Sequence, residues 1–433
     1  MNKPFPIRRT LIGLLAAAFL SLLLILVWQL AADPDNQSAG KAPDNDAAFI
    51  QRGAYLARAG NCIACHTQRG GQAYAGGRAI ATPFGDIYAS NITPDKATGI
   101  GNWTADDFWR ALHNGRSKDG SFLYPAFPYP NYTKVTREDS DALYAFLRSL
   151  PAVQQTNKAP DLRFPYNQRV LLAFWRALYF TPGSFAADAS QSAEWNRGAY
   201  LVQGLGHCSA CHTSRNALGG TAAEHDLSGA LIPMLNWHAS SLTSNADTGM
   251  GAWEAKDIAA LLKTGVSAQG AVFGPMAEIV SKSLQYLSDE DIRSMASYLK
   301  TIPDTRPAKK VVSSIAEPEA KAMLTRGAKL YDQHCADCHG ADGKGKAPAY
   351  PSLAGKVTLT SGSPVNPIRI VLNGGFPPST AGNPRPYGMP PFGYLMSNDE
   401  VAAVVSYIRT QWGNQGSLVG AIDVARSRSM GSE

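Results

Sequence analysis

The sequence predicts an all-α chain in which three tandem helical domains follow an N-terminal membrane-anchor helix. The motif Cys-x-x-Cys-His occurs three times and accounts for all six cysteines of the 433 residues. An Arg-Gly-Ala triplet stands nine to eleven residues before each copy, and such self-similarity indicates an internal repeat. Residues 10–32 form an uncharged, mostly apolar run behind a basic N-terminus.

The N-terminal segment, residues 1–32, is predicted to be a membrane anchor or a signal. Its apolar run is long enough to cross a bilayer core as a helix. We favour an uncleaved anchor over a removed signal peptide. Signal peptide cleavage sites have a small residue at the third position before the cut, and for a cut after Ala32 that position is Leu30. The basic flank should stay in the cytoplasm, which puts the rest of the chain on the periplasmic side of a bacterial inner membrane. Residues 33–46, rich in Asp, Asn, Ala and Pro, predict a spacer.

Each Cys-x-x-Cys-His motif predicts covalent attachment of one haem c. Two thiols on one helical turn can each form a thioether with a haem vinyl group, and the histidine then binds the iron from the proximal side. A structural zinc site would take four ligands from two Cys-x-x-Cys pairs, so a zinc site would leave the third pair without a function. A thioredoxin-like pair does not require the histidine. The predicted attachment residues are Cys62, Cys65, Cys208, Cys211, Cys335 and Cys338, and the predicted proximal ligands are His66, His212 and His339.

The repeat predicts three helical domains of similar plan. Each begins with a short helix that leads into the haem motif, and each ends with an amphipathic helix that starts at a Ser or Thr N-cap. The first two repeats also share a middle helix, at 103–115 and 253–265. The predicted haem domains are 47–155, 191–305 and 319–413, with a connector at 156–190, a linker at 306–318 and a flexible tail at 414–433.

The connector contains a predicted helix, residues 162–180, in which bulky apolar side chains alternate with three arginines. Two interpretations of this helix stay open. We favour a helix that packs two haem domains together. The alternative is a helix on the membrane surface, because aromatic residues mixed with arginine suit that boundary.

A methionine thioether is the expected sixth iron ligand, in a loop before the closing helix. Met276 and Met389 occupy that place in the second and third repeats, beside prolines that stiffen the loop. In the first repeat Phe127 stands there, and no methionine occurs at residues 2–233. The first iron is therefore expected to be five-coordinate, water-ligated or bis-His. His113 is the candidate replacement, although we favour a surface histidine at a helix end.

Several function classes lack support in the sequence. The formal net charge of +6 is spread along the chain, so no nucleic-acid-binding pattern is present. No Gly-x-Gly-x-x-Gly nucleotide fingerprint occurs, and no catalytic residues or separate metal site stand out. We therefore do not expect this chain to turn over a substrate by itself.

These motifs resemble the membrane-bound alcohol dehydrogenase cytochrome c subunit family. The resemblance also rests on the loop 124–129, on Gly274-Pro275-Met276 and on residues 388–392. It implies three class I cytochrome-c-like domains on the periplasmic face, a catalytic dehydrogenase partner of PQQ, FAD or molybdenum type, with or without a small third subunit, and ubiquinone as electron acceptor. Family members often carry a methionine in the first-repeat loop or at a place such as Val135. This chain has a methionine at neither place, so the resemblance does not identify the sixth ligand of the first haem iron.

The sequence thus predicts a triheme electron-transfer subunit that relays electrons from a dehydrogenase to ubiquinone. One alternative is a peroxidase-like haem enzyme that uses an open first haem, with His113 as the available distal acid–base group. The other is a cytochrome that delivers electrons to a terminal oxidase.

Overall fold

The computed structural model describes residues 7–31, 46–222, 226–304, 316–347, 349–360 and 362–430. These residues divide into two compact units. The first comprises the described residues up to Ala54, together with Gln68–Ala186 and Ala217–Gly220. The second comprises Tyr55–Thr67, Ala187–Asn216 and the described residues from Thr221 onward. The first Cys-x-x-Cys-His motif therefore belongs to the second unit, whereas most of its repeat belongs to the first.

The described chain is largely helical. In chain order the helices are α1 (Ile7–Ala31), α2 (Ala47–Ala59), α3 (Cys62–Cys65), α4 (Ala105–Asn114), α5 (Tyr129–Tyr132), α6 (Arg137–Ser149), α7 (Leu172–Tyr179), α8 (Ala193–Gln203), α9 (Ser209–His212), α10 (Ala255–Thr264), α11 (Pro275–Lys282), α12 (Asp289–Leu299), α13 (Glu317–His334), α14 (Ala336–His339), α15 (Val357–Thr360), α16 (Val365–Asn373), α17 (Asn398–Thr410) and α18 (Ala421–Ser429). Within the described residues, the stretch Thr10–Ala31 of α1 is long and apolar enough to cross a membrane.

Small antiparallel sheets, which the all-α prediction did not anticipate, lie between the helices. The strands are β1 (Ala79–Thr82), β2 (Gly85–Tyr88), β3 (Asp161–Leu162), β4 (Ala230–Ile232), β5 (Trp237–Ala239), β6 (Val266–Ser267) and β7 (Gly270–Ala271). They pair in the orders β1-β2-β3, β4-β5 and β6-β7. In the register, Ala79 faces Tyr88 and Ala230 faces Ala239. Strands of two to four residues are too short to give a recognisable alternation in sequence.

The glycine of each Arg-Gly-Ala triplet lets the first helix of a repeat touch its closing helix. A Cβ on Gly198 in α8 would lie 1.9 Å from the carbonyl oxygen of Ser294 in α12. Gly53 and Gly327 approach carbonyl oxygens of α6 and α17 so closely that a Cβ would lie 1.9 Å and 2.2 Å away. No side chain fits at such distances, so these crossings require glycine.

The arginine of the triplet links the same two helices by charge. Arg52 Nε donates to Asp139 at 2.9 Å, and Arg197 Nε donates to Asp291 at 2.7 Å. Both carboxylates lie in the first turn of a closing helix, where negative charge also suits the helix dipole. The triplet noticed in the sequence is therefore a structural contact.

The predicted closing helices are confirmed as α6, α12 and α17. The hydroxyls of Thr136, Ser288 and Ser397 accept hydrogen bonds from the backbone N–H three residues on, as N-caps do. The predicted middle helices are confirmed as α4 and α10. The third repeat has a middle helix as well, α16, which was missed because Pro367 near its start masked the pattern.

The C-terminal segment differs from the predicted flexible tail at 414–433. Residues 421–429 form α18, which packs against α16 and α17. Val419 and Val424 are fully buried there. Two isolated valines in a stretch rich in Gly, Ser and Arg give no periodic signal, so the sequence did not show this packing. Residues 431–433, and most of the predicted spacer and linker, lie outside the described residues.

Helix α7 of the connector packs against α1 within the first unit. The buried Arg176 of α7 donates from Nε to the side-chain oxygen of Gln29 at 3.1 Å, and it also bonds the carbonyl of Asn114. Trp175 Nε1 donates to the carbonyl of Leu218 at 3.0 Å, in a segment that comes from the second repeat. Of the predicted helix 162–180, only residues 172–179 form an α-helix, with a 3-10 turn at Arg169–Leu171 before it. Helix α7 thus contacts a segment of the second repeat and also lies against the apolar N-terminal helix.

Candidate haem centres

Both cysteines of the first pair lie in α3, whereas Cys208 and Cys335 are the N-cap residues of α9 and α14, which contain the second cysteines. Each pair therefore spans a single turn, as attachment through two thioethers requires. The structure has no disulfide bond at any of the three pairs. In every copy the backbone N–H of the histidine donates to the carbonyl oxygen of the first cysteine at 2.9 Å, in the pairs His66–Cys62, His212–Cys208 and His339–Cys335.

The first cysteine of each motif is more enclosed than the second. Burial raises the pKa of the Cys62 and Cys208 thiols to about 12 and that of Cys335 to about 11. Such thiols stay neutral near pH 7, which does not favour a reactive redox pair. A thioether carries no ionisable proton, so an enclosed position suits a covalently attached haem.

Two predicted proximal histidines have one ring nitrogen held by the protein. His212 Nδ1 lies 2.6 Å from the carbonyl oxygen of Ser240, and His339 Nδ1 lies 3.0 Å from that of Pro351. A carbonyl can only accept, so Nδ1 carries the proton and Nε2 keeps its lone pair for iron. Burial lowers the pKa of both imidazoles, which favours the neutral form. This donor set fits haem iron.

The sequence did not reveal these two acceptors. Both are backbone carbonyls, which any residue supplies, and they stand 28 and 12 residues after their histidines. Because the two acceptors stand at different distances along the chain from their histidines and are not tied to a residue type, no sequence pattern predicts them.

Met276 is the second residue of α11, so it lies in a helical turn and not in the predicted loop. The preceding Gly274 has φ 56°, and a Cβ there would lie 2.5 Å from the ring of Trp237. Trp237 begins β5, which leads directly to Ser240, the partner of His212. One short segment of the second repeat therefore contacts both the proximal histidine and the methionine turn.

Met389 is held by two backbone hydrogen bonds to Gly375, at 2.9 and 3.0 Å. Its side chain packs against the hydrophobic core of the third repeat. A Cβ on Gly375 would lie 3.3 Å from the ring of Phe273, close to Met276 in sequence. The two methionine segments therefore meet across the Phe273–Gly375 contact.

The first motif also lies against the second repeat, within the second unit. Helix α3 packs against α11, the helix that carries Met276. Tyr55 donates its hydroxyl to Asp291 at 2.6 Å, and the guanidinium of Arg58 lies 4.6 Å from the ring centroid of Tyr286. The segment from Phe273 through α11 thus touches parts of both other candidate centres.

The first repeat differs from the sequence expectation at His113. This side chain is only 1% exposed, so the favoured interpretation as a surface histidine is wrong. The last turn of α4 faces α5, where the His113 ring stacks on Trp109 with 4.4 Å between centroids and Nδ1 lies 3.5 Å from Thr133 Oγ1. Phe127 is half-buried and contacts Tyr132 edge-on at 5.3 Å between centroids.

The sequence profile of the cytochrome c family matches residues 50–151, 196–303 and 324–412. The chain belongs to the cytochrome c family. This cytochrome is 40% identical over 408 residues to the alcohol dehydrogenase (quinone) cytochrome c subunit of Gluconacetobacter polyoxogenes. The aligned region covers 90% of this chain and 86% of that protein.

Two further relatives of this cytochrome are subunits of sugar-acid and sugar dehydrogenases. It is 42% identical over 400 residues to the gluconate 2-dehydrogenase cytochrome c subunit of Pantoea cypripedii, with 89% and 90% of the two chains covered. It is 36% identical over 444 residues to the fructose dehydrogenase cytochrome subunit of Gluconobacter japonicus, with 96% and 90% covered. The family resemblance drawn from the motifs is confirmed.

Proposed function

We propose that the chain is the triheme electron-transfer subunit of a membrane-bound periplasmic dehydrogenase and carries electrons from a catalytic subunit to ubiquinone. The observation that carries this proposal is the similarity, over about nine-tenths of the chain, to cytochrome subunits of alcohol, gluconate and fructose dehydrogenases. A cytochrome subunit supplies no substrate chemistry of its own, so the catalytic step belongs to its partner.

Three haem c groups are proposed, one at each motif, and each profile match falls inside one predicted domain. When bound, haem iron supplies reversible one-electron oxidation and reduction. The cysteines would fasten the porphyrin, while the carbonyls of Ser240 and Pro351 would hold their imidazoles in one tautomer. Met276 and Met389 would ligate the second and third irons and raise their potentials.

The packing of the second repeat supports a relay function. Electron transfer weakens steeply with distance, so successive redox centres need to be neighbours. Helix α11 packs against the first motif, and Phe273 meets the segment that holds Met389. The second repeat would therefore act as the middle of the relay.

We place the haem repeats on the periplasmic side of the inner membrane, behind α1 as an uncleaved anchor. The apolar span and the basic N-terminus support this orientation. Gln29 of α1 is 8% exposed and accepts a hydrogen bond from Arg176. Cleavage of the segment would leave that buried guanidinium without one of its partners, which favours retention.

The catalytic partner is proposed to be a dehydrogenase of PQQ, FAD or molybdenum type, with or without a small third subunit. Affinity purification of the tagged chain from its own membranes tests this. We expect a dehydrogenase to copurify, and the complex to reduce a ubiquinone analogue when its substrate is added. Copurification with oxidase subunits would favour the terminal-oxidase alternative, and peroxide turnover by the chain alone would favour a haem enzyme.

A further inference from the structure

The outward face of the connector helix is apolar. Val170 is 48% exposed and Leu178 is 68% exposed, although both are large hydrophobic residues. Leu171 and Ala177 are exposed as well, and Phe174 is half-buried between them. Phe174, Ala177 and Leu178 lie on one face of α7, and Val170 and Leu171 lie in the 3-10 turn Arg169–Leu171 directly before it. None of these five side chains is polar. We call these five side chains the connector stripe.

The inward face of the same helix carries charge. Arg176 is 4% exposed and lies between Ala173 and Phe180, which are also buried. Its guanidinium lies 4.7 Å from the ring centroid of Phe180. A helix that faces water normally buries its apolar residues and exposes its charged ones. Helix α7 departs from this pattern, since its single charged residue is buried and large apolar residues on its outer face are exposed.

Helix α1, against which α7 packs, determines where the connector stripe would lie relative to a bilayer. Helix α7 packs against α1, and Arg176 bonds Gln29, two residues before the end of the apolar span Thr10–Ala31. At 1.5 Å per residue, Gln29 lies about 3 Å from the end of that span, which is the depth of the membrane interface. Helix α7 is therefore held where α1 would leave the bilayer.

The residues before α7 extend the same surface. Phe164 is 80% exposed and Tyr166 is 40% exposed. Arg163 and Arg169 are exposed beside them. Aromatic rings together with arginine side chains are the usual composition of segments that lie at the headgroup level.

We propose that residues 164–178 lie in the interfacial layer of the lipid bilayer and form a second membrane contact beside α1. The proposal rests on the proposed function only in taking α1 as a retained anchor. Continuity with the apolar span favours lipid over a polypeptide as the occupant, and the exposed arginines match anionic phosphate headgroups.

Photo-crosslinking in the native membrane complex tests this contact. p-Benzoylphenylalanine replaces Leu178 or Leu171 in the full-length chain, and mass spectrometry identifies the adducts after illumination. The same probe at Leu20 in α1 is the membrane control, and at Tyr394, which is 94% exposed in the third repeat, it is the control outside the membrane. We expect phospholipid adducts at both connector positions and at Leu20, and none at Tyr394.

The possible outcomes separate this inference from the proposed function. Adducts from Leu178 and Leu171 to a polypeptide, or no lipid adduct at either position while Leu20 reacts with lipid, would overturn the membrane contact and leave the anchor standing. Absence of lipid adducts at Leu20 as well would overturn both. Reduction of a ubiquinone analogue by the same preparation reports on electron transfer independently of either result.

Discussion

The first repeat and the two later repeats share one scaffold but differ where the sixth iron ligand is expected. In all three, a glycine lets the first helix touch the closing helix, and a Ser or Thr caps that closing helix. Met276 begins a helix and Met389 sits in a hydrogen-bonded bridge, whereas Phe127 precedes the short helix α5. The helix crossing depends on backbone contact, so it persists while the ligand segment varies around it.

Removing the shared crossing should have the largest effect. Gly198→Ala would place a Cβ 1.9 Å from the Ser294 carbonyl and should lower the free energy of unfolding by about 3 kcal/mol, because two backbones must separate. Urea unfolding of the purified chain measures this. Gly183→Ala is the matched control, since nothing lies within 4 Å of its Cβ. Equal stability of the two variants would contradict a scaffold that depends on the crossing.

Removing a proposed ligand should change one centre and leave the scaffold intact. Met276→Leu should lower the reduction potential of the second haem by a sizeable part of the about 0.8 V that axial ligands span, and should open its iron to carbon monoxide. A spectroelectrochemical titration measures both. Met295→Leu, in the core of the same repeat, is the control and should leave all three potentials in place. Unchanged spectra in Met276→Leu would remove the ligand assignment.

The converse substitution in the first repeat sharpens the comparison. Phe127→Met supplies a thioether where the later repeats have one, so we expect a higher potential for the first haem and weaker carbon monoxide binding there. Phe164→Met, at an exposed phenylalanine of the same unit, controls for the added sulfur. A folded Phe127→Met variant with wild-type potentials would show that this loop does not correspond to the methionine segments.

The parts of this molecule that followed from its sequence are those set by local patterns. Apolar spacing and N-cap residues at Thr136, Ser288 and Ser397 gave the closing helices, and the Cys-x-x-Cys-His spacing gave the attachment turns. Contacts between residues that only tertiary packing brings together could not be predicted from the sequence. Phe273 meets Gly375 across about a hundred residues, and His113 is buried because α5 happens to cover it.

The smallest predicted effect concerns the charge contact of the second repeat. Burial acts to raise the pKa of Asp291, but hydrogen bonds from Arg197 and Tyr55 outweigh it and hold that pKa below its usual value. Asp291→Asn should cost about 2 kcal/mol of unfolding free energy at pH 7. A carboxyl whose pKa is lower in the folded state than its unfolded value of about 3.9 stabilises the folded state at pH values above that unfolded value. The difference in unfolding free energy between Asp291→Asn and wild type should therefore shrink as the pH falls below about 4.

Urea unfolding of both proteins at several pH values measures this dependence. Asp289→Asn is the control, because that carboxylate is 78% exposed and pairs with Lys263 at the surface, where little energy is expected. A difference between Asp291→Asn and wild type that does not change with pH would show that the carboxylate charge is not what stabilises the helix contact.

The intact mass of the mature chain, purified from its membrane, tests most directly the claim that one haem c is fastened at each of the three motifs. The account predicts the polypeptide mass plus three haem groups, with peptide mapping that places them on Cys62 and Cys65, on Cys208 and Cys211, and on Cys335 and Cys338. A mass with fewer than three haem groups, or with bare thiols or disulfides at any of these pairs, would contradict it.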